Sequence, residues 1–197
     1  MLNIPNIQQA MSVFVAEELS EVLNTKVVIG RINMGLLNRI IIDDVLLDDQ
    51  SGQEMLKVTR LSAKFDIMPF FKGKISISSV QLFGFNINLR KETPDSPPNF
   101  KFVLDAFASK DTVKKENSLD LRINSILIRR GRMSYHVLSE EETPGKFNAK
   151  HIQLQNIIAN ISLKALSKDS LNLGIKRLSL DEKASGFSLK KMSLKLV

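Results

Sequence analysis

Few side chains in this sequence could do chemistry. His136 and His151 each stand in an alternating strand pattern, with no Cys or second His beside them. A metal site or a nucleophilic triad needs several such groups at ligand or relay spacing, so each is read as a surface or groove-edge histidine. Asp43, Asp44, Asp48 and Asp49 gather in "DDVLLDDQSG". That stretch lacks the loop spacing and closing Glu of a calcium hand. Asp48 to Gly52 instead carries the Asp and Gly that a hairpin turn requires. Glu140, Glu141 and Glu142 run up to Pro144 and read as a solvated loop. The chain has no cysteine, which excludes thiol catalysis, disulfides and thiolate-bound metal. The glycines are isolated, with no phosphate cradle, and no Ser sits in a nucleophile elbow. The expectation is a protein without catalytic residues, metal or cofactor.

The elements that would have to position any site are mostly strands. Of the 197 residues 43% are apolar, enough to bury a core. The net charge of +7 favours an anionic partner. With one Tyr and no Trp there are few platforms on which bases could stack, so nucleic acid is not expected. No apolar run reaches the ~18 residues of a membrane span. The pattern is still that of a strand at Met192, Leu194, Leu196 and Val197, which predicts that further sequence follows.

Pro5 to Leu23 reads as an amphipathic helix, with Ile7, Met11, Phe14, Val15, Leu19, Val22 and Leu23 on its apolar face and Asn24-Thr25 ending it. A second, short helix is expected over Phe100 to Ala108, capped by Asn99. It follows the Pro-rich loop Thr93 to Pro98 and precedes a charged linker, Lys110 to Asn117. Ser139 to Lys146 reads as another exposed loop.

Between these runs a repeat: apolar, x, apolar, x, x, apolar, x, apolar. It occurs at Val27-Ile29-Ile32-Met34, Ile40-Ile42-Val45-Leu47, Leu56-Val58-Leu61-Ala63 and Ile75-Ile77-Val80-Leu82. It returns at Leu121-Ile123-Ile126-Ile128, Phe147-Ala149-Ile152-Leu154, Leu173-Ile175-Leu178-Leu180 and Phe187-Leu189-Met192-Leu194. The two residues at each slip, such as Asp43-Asp44 or Lys190-Lys191, are polar, charged or glycine. On a plain strand the slip would turn half of the apolar residues outward. A bulge or kink at each slip keeps both halves on one face and curves the sheet around it; a tight turn is the alternative. "ISISSVQLFGFNINL" from Ile75 and "LRINSILIRRGRMSYHV" from Leu121 align as a divergent strand-turn-strand repeat, with Gly84 and Gly131 at the turns.

A sheet with that much apolar surface must cover it. It either closes as a sandwich or barrel, or leaves a groove for an apolar ligand. Lipid acyl chains suit a groove, since each CH₂ leaving water is worth about 0.8 kcal/mol and needs no directional partner.

The stretch "IPNIQQAMSVFVAEELSEVLNTKVVIGRINMGLLNRIIIDDVLLDDQSGQEML" resembles the amino-terminal part of TamB (translocation and assembly module) proteins of the Bacteroidetes type. So do "FFKGKISISSVQLFGFNINL" and "PPNFKFVLDAF". The resemblance spans about Ile4 to Phe107; the remainder is similar to generic AsmA-like repeats. It implies a periplasmic protein anchored in the inner membrane by a helix absent from this sequence, similar to bridge-like lipid-transfer proteins. Phospholipid would pass along an apolar β groove toward the outer membrane. An outer-membrane barrel protein would be the partner at the distant carboxy-terminal end, and a role in outer-membrane protein assembly or secretion is the alternative. The expected fold is mainly β: residues 1–24 a helix capping the groove, and 25–197 a curved, repetitive antiparallel sheet forming an open apolar groove, interrupted over 93–117. The expected lining is Ile75, Ile77, Val80, Leu82, Phe85, Ile87, Leu121, Ile123, Ile126 and Ile128, with Lys26, Arg31 and Arg39 near the entrance for lipid headgroups.

Overall fold

The computed structural model describes residues 5–35, 38–65, 75–108, 119–120, 124–167 and 170–196. Helix α1 (Pro5–Leu23) leads into β1 (Val27–Gly35), β2 (Arg39–Asp48), β3 (Glu54–Phe65) and β4 (Ile75–Lys91). Helix α2 (Lys101–Ala108) and the two-residue β5 (Leu119–Asp120) follow. The chain then runs through β6 (Ser125–Val137), β7 (His151–Ser167), β8 (Ser170–Glu182) and β9 (Ser188–Leu196). The nine strands among the described residues belong to one sheet of order β1-β2-β3-β4-β6-β7-β8-β9, with β5 beside β4. Among the described residues β1 and β9 are its edges, and the sheet is not closed.

The protein is mainly β, as expected, but the sheet is mixed rather than antiparallel. β1–β4 and β6–β9 are antiparallel meanders, joined by a parallel pairing of β4 with β6. The insertion after β4 carries the chain back along the sheet, so β6 starts beside the start of β4. The two stretches that align in sequence thereby lie side by side at the same offset: Val80 pairs with Ile126, Leu82 with Ile128 and Ile87 with Met133. No turn divides them. β4 runs through Gly84 and β6 through Gly131 without a break.

The phase slips explain the curvature, though mostly not as separate bulges. From β1 to β6 the register is the same on both sides of the slip: Ile29↔Val45 and Ile32↔Ile42, then Val45↔Val58 and Ile42↔Leu61, then Val58↔Phe85 and Leu61↔Leu82. Strands β1 to β4 and β6 therefore spend an extra residue at the same level, on β4 at Phe83-Gly84 rather than at Ser78-Ser79, and these slips align into one crease, while β7, β8 and β9 place theirs at neighbouring levels. Asp44, Gly84, Arg130 and Asn156 adopt left-handed backbone conformations along it. True register shifts occur in the second meander, between Ile128 and Met133 on β6 and between Ile175 and Leu180 on β8. Another lies between Lys64 and Phe65 on β3. The instance at Phe147 to Leu154 is a turn: Phe147 and Ala149 precede β7 and are exposed.

α1 packs on β1 and touches α2. Leu23, Val27, Ile29, Ile32, Leu47 and Met55 form a core there, joined by Phe102 and Val103 of α2. The inward face of α1 differs from the expected one. Ser12, Val15, Ala16, Ser20 and Leu23 face in, while Phe14 (62% exposed), Leu19 and Val22 face out. The side chains of Ile7 and Met11 lie outside the described residues. Small serines let the helix approach closely. The Ser20 hydroxyl donates to the Ala16 carbonyl at 2.6 Å and accepts the Val27 N–H at 3.0 Å, fixing α1 to the start of β1. The helix ends as predicted: Asn24 is left-handed and the Thr25 N–H reaches the Ser20 carbonyl at 3.1 Å.

Candidate functional site

Along the crease, residues i and i+3 of a strand stand on the apolar face and the two between them point outward. Ile42 and Val45, Leu61 and Val58, Leu82 and Phe85, and Leu154 and Ile157 are such pairs. Their separators, among them Asp43-Asp44, Thr59-Arg60 and Gln155-Asn156, meet on the opposite face. There Arg60 Nε bonds Asp43 Oδ1 at 2.6 Å, and the Arg130 guanidinium lies 5.1 Å from the Phe83 ring centre.

On the apolar face, register links build rows that cross the whole sheet. One reads Ile32, Ile42, Leu61, Leu82, Ile128, Ala159, Leu178, Met192. A second reads Met34, Ile40, Ala63, Val80, Ile126, Ile161, Ile175, Leu194. Both are apolar from edge to edge. The residues at the crease itself, Val58 (2% exposed), Phe85 (6%) and Ile157 (8%), form a buried cluster. Among the described residues, the helix contacts on the sheet lie at its β1–β3 end. Burial at the crease therefore comes from the sheet folding onto its own flanking rows, including Leu61, Leu82, Ile128, Met133, Leu154 and Leu180.

Of the ten expected lining residues, Val80, Leu82, Ile87, Ile126 and Ile128 stand half-buried on this face. Phe85 shares it, but as packed floor wedged between Val58 and Ile157. Ile75 and Ile77 belong to β4, with their side chains outside the described residues, as are Leu121 and Ile123 altogether. Sequence reasoning missed Ile157 and Leu154 of β7. The three basic residues do not gather. Lys26 lies at the α1–β1 junction, and Arg31 lines an outer-face depression with Asp43, Asp44 and Arg60. Arg39 lies at the far end of β2, with Nη1 3.4 Å from Ser62 Oγ.

Two buried carboxylates hold one end of the sheet. Asp49 Oδ1 accepts the Ser51 hydroxyl at 2.6 Å and the N–H groups of Ser51 and Gln53 at 3.0 and 3.1 Å. Asp49 Oδ2 meets Arg90 Nη2 at 2.6 Å and Asn99 Nδ2 at 3.1 Å. Burial opposes ionisation of Asp49, but the donors from Ser51, Asn99 and Gln53 outweigh it and hold its carboxyl below the ordinary value. This is the Asp48–Gly52 turn, with Gly52 left-handed as the turn needs. Asn99 does not cap α2. Its Oδ1 accepts the Arg90 N–H at 3.0 Å and its Nδ2 also donates to the Asn88 carbonyl at 3.0 Å, so it ties the loop to β4. Glu182 repeats the device at the β8–β9 turn, where its carboxylate accepts from Ser185 and from the N–H groups of Ser185, Ala184 and Gln153. Both carboxylates fit a structural role.

No family model, no curated protein and no solved structure gives a significant match to this chain. Among the described residues no helix is long and apolar enough to cross a membrane.

Proposed function

We propose that this chain is the inner-membrane-proximal part of a TamB-like periplasmic bridge, whose apolar face takes phospholipid acyl chains and conducts them toward the outer membrane. The observation that carries the reading is the pair of apolar rows running across all eight strands of the main path. Beyond the cover of α1 and α2 the rows stay mostly half-buried, and a contiguous apolar face of this kind marks a binding surface. The crease folds it into a trough whose long axis crosses the strands, and acyl chains lying along that axis would meet Val80, Leu82, Ile126, Ile128 and Ile161 in turn. α1 stands over the β1 end, as a cap would. Its outward Val13, Phe14 and Val22 would rest in the interfacial zone of the membrane. The reading includes no catalytic step. Incubation with a fluorescent phospholipid, followed by native electrophoresis, tests it: the lipid should comigrate with the protein. Comigration unchanged by charges placed in the rows would refute the trough as its seat.

A second reading rests on the open edge of β9. An unpaired strand can add a strand from another chain, which is what a scaffold for outer-membrane protein assembly would use. Lys190, Lys191 and Lys195 on that strand are the charges that natural edges use against such pairing, so we place this reading second. Crosslinking from β9 to nascent barrel strands, in preference to lipid, would reverse the order.

A further inference from the structure

We propose that His136, His151 and Glu142 form a divalent transition-metal site, of the kind that takes Zn²⁺, at the end of the β6–β7 ladder. The two histidines are fifteen residues apart in sequence, with no ligand spacing to advertise them, yet they are direct register partners. Their Nδ1 atoms stand 3.0 Å apart, and the ring centres 5.3 Å apart. Glu142 Oε1 lies 3.8 Å from His136 Nδ1. One ligand atom from each of the three residues falls within 4.8 Å of the other two.

The tautomer of His151 supports the assignment. Its Nε2 lies 2.9 Å from the carbonyl oxygen of Glu140. A carbonyl only accepts, so Nε2 carries the proton, and in the uncharged ring Nδ1 presents a lone pair. Fixing one ring nitrogen as a donor to a backbone carbonyl is how proteins orient a metal-binding imidazole. Without an ion, His136 Nδ1–H donates to the His151 lone pair across the 3.0 Å contact; an ion that takes its place leaves the His136 proton on Nε2, and both Nδ1 lone pairs and the Glu142 carboxylate then face it. Two ligands of a tetrahedral Zn²⁺ sit ~3.3 Å apart, from Zn–N lengths of about 2.0–2.1 Å. The imidazoles need open by only a few tenths of an ångström, and Glu142, on an exposed loop, is free to close in. Two imidazoles and one carboxylate select a transition ion over Ca²⁺ or Mg²⁺.

The surroundings leave room for a fourth ligand. A cavity of about 190 Å³ opens beside Glu142 and His151, bordered by Asn148, Gln153 and Lys183, and water can occupy the remaining position. Of the cations nearby, Lys150 is neutralised by Glu140 Oε1 at 2.5 Å, and Lys183 stands on the rim toward the β8–β9 turn. A bound ion would staple the 138–150 loop to both strands.

The test is calorimetric titration of the full chain, free of any histidine tag and stripped with chelator, with ZnCl₂ and separately with CaCl₂. We expect one Zn²⁺ per chain, no Ca²⁺ binding, and a rise in Tm with Zn²⁺. Glu142→Gln, at an exposed side chain, should weaken binding by about tenfold or more, and His136→Gln should abolish it, each with an unchanged circular dichroism spectrum. Co²⁺ loaded into the unmutated protein should give the intense visible bands of a four- or five-coordinate site, a readout that needs no variant to fold. Failure to bind Zn²⁺, equal affinity in both variants, or the weak spectrum of octahedral Co²⁺ would each overturn the proposal.

Discussion

The ring of Phe85 fills the space where a side chain at Gly131 would stand: a Cβ there would overlap Phe85 Cε1 and Cζ. Gly131 is thus kept small by packing across the crease, with Ile157 Cβ closing the other side at 3.0 Å. Gly131→Ala should destabilise the fold by about 1–3 kcal/mol through overpacking, measured by urea denaturation. Phe85→Leu in the same chain should recover part of that loss, because the two substitutions share one space. Phe85→Ala alone should cost about 3–5 kcal/mol. If the two single changes simply add, the ring does not sit on Gly131.

Acid should release the β8–β9 turn. Burial raises the Glu182 carboxyl, but the Ser185 hydroxyl and the N–H groups of Ser185, Ala184 and Gln153 overcome it and pull the group from 4.5 down to about 2. Between those values the unfolded chain binds a proton that the folded chain does not. Stability therefore rises with pH across this window. The contribution is complete above about pH 4.5 and disappears as pH falls to about 2. Glu182→Gln, which turns one accepting oxygen into a donor, should cost about 1–3 kcal/mol at neutral pH. The gap between variant and parent should shrink in denaturation curves taken at successively lower pH. A gap that stays constant from neutral pH to pH 2 would contradict the hydrogen-bond assignment.

The two sides of α1 should respond in opposite ways. Leu23 is buried among Val27, Ile29 and Leu47, so Leu23→Ala should cost about 2–5 kcal/mol. Phe14→Ser, on the outward face, should change stability by no more than about 0.5 kcal/mol. It should, however, weaken binding to anionic vesicles in a flotation assay, if that face meets the membrane. A large loss of stability from Phe14→Ser would restore the face expected from sequence.

Much of this architecture was legible in the sequence because it is local. The phase slip, the Asp48–Gly52 turn and the end of α1 at Asn24 each depend on a few adjacent residues. The common level of the slips was not legible, since it is a property of register between strands. Three further copies of the motif, Val80-Leu82-Phe85-Ile87, Ile126-Ile128-Gly131-Met133 and Ile152-Leu154-Ile157-Ala159, are disguised in the sequence. Phe83 makes the first slip look apolar, and Gly131 stands where an apolar residue should, its place taken by the Phe85 ring. The inward face of α1 keeps Val15 and Leu23 of the apolar stripe but departs from it elsewhere, because Ser12 and Ser20 satisfy their hydroxyls within the helix, at Gln8 and Ala16, and so can be buried at little cost. The pairing of His136 with His151 arises from the β6–β7 register alone, and no spacing rule contains it.

The central claim, that the apolar rows hold acyl chains, is tested most directly by native mass spectrometry of the purified chain with lipid extraction from the same sample. The comparison set is the parent, Ile126→Glu in the second row, and Arg129→Glu on the outer face, each verified as folded by circular dichroism. The account predicts phospholipid bound to the parent and to Arg129→Glu, and lost from Ile126→Glu. A lipid-free parent, or lipid retained undiminished by folded Ile126→Glu, would contradict it.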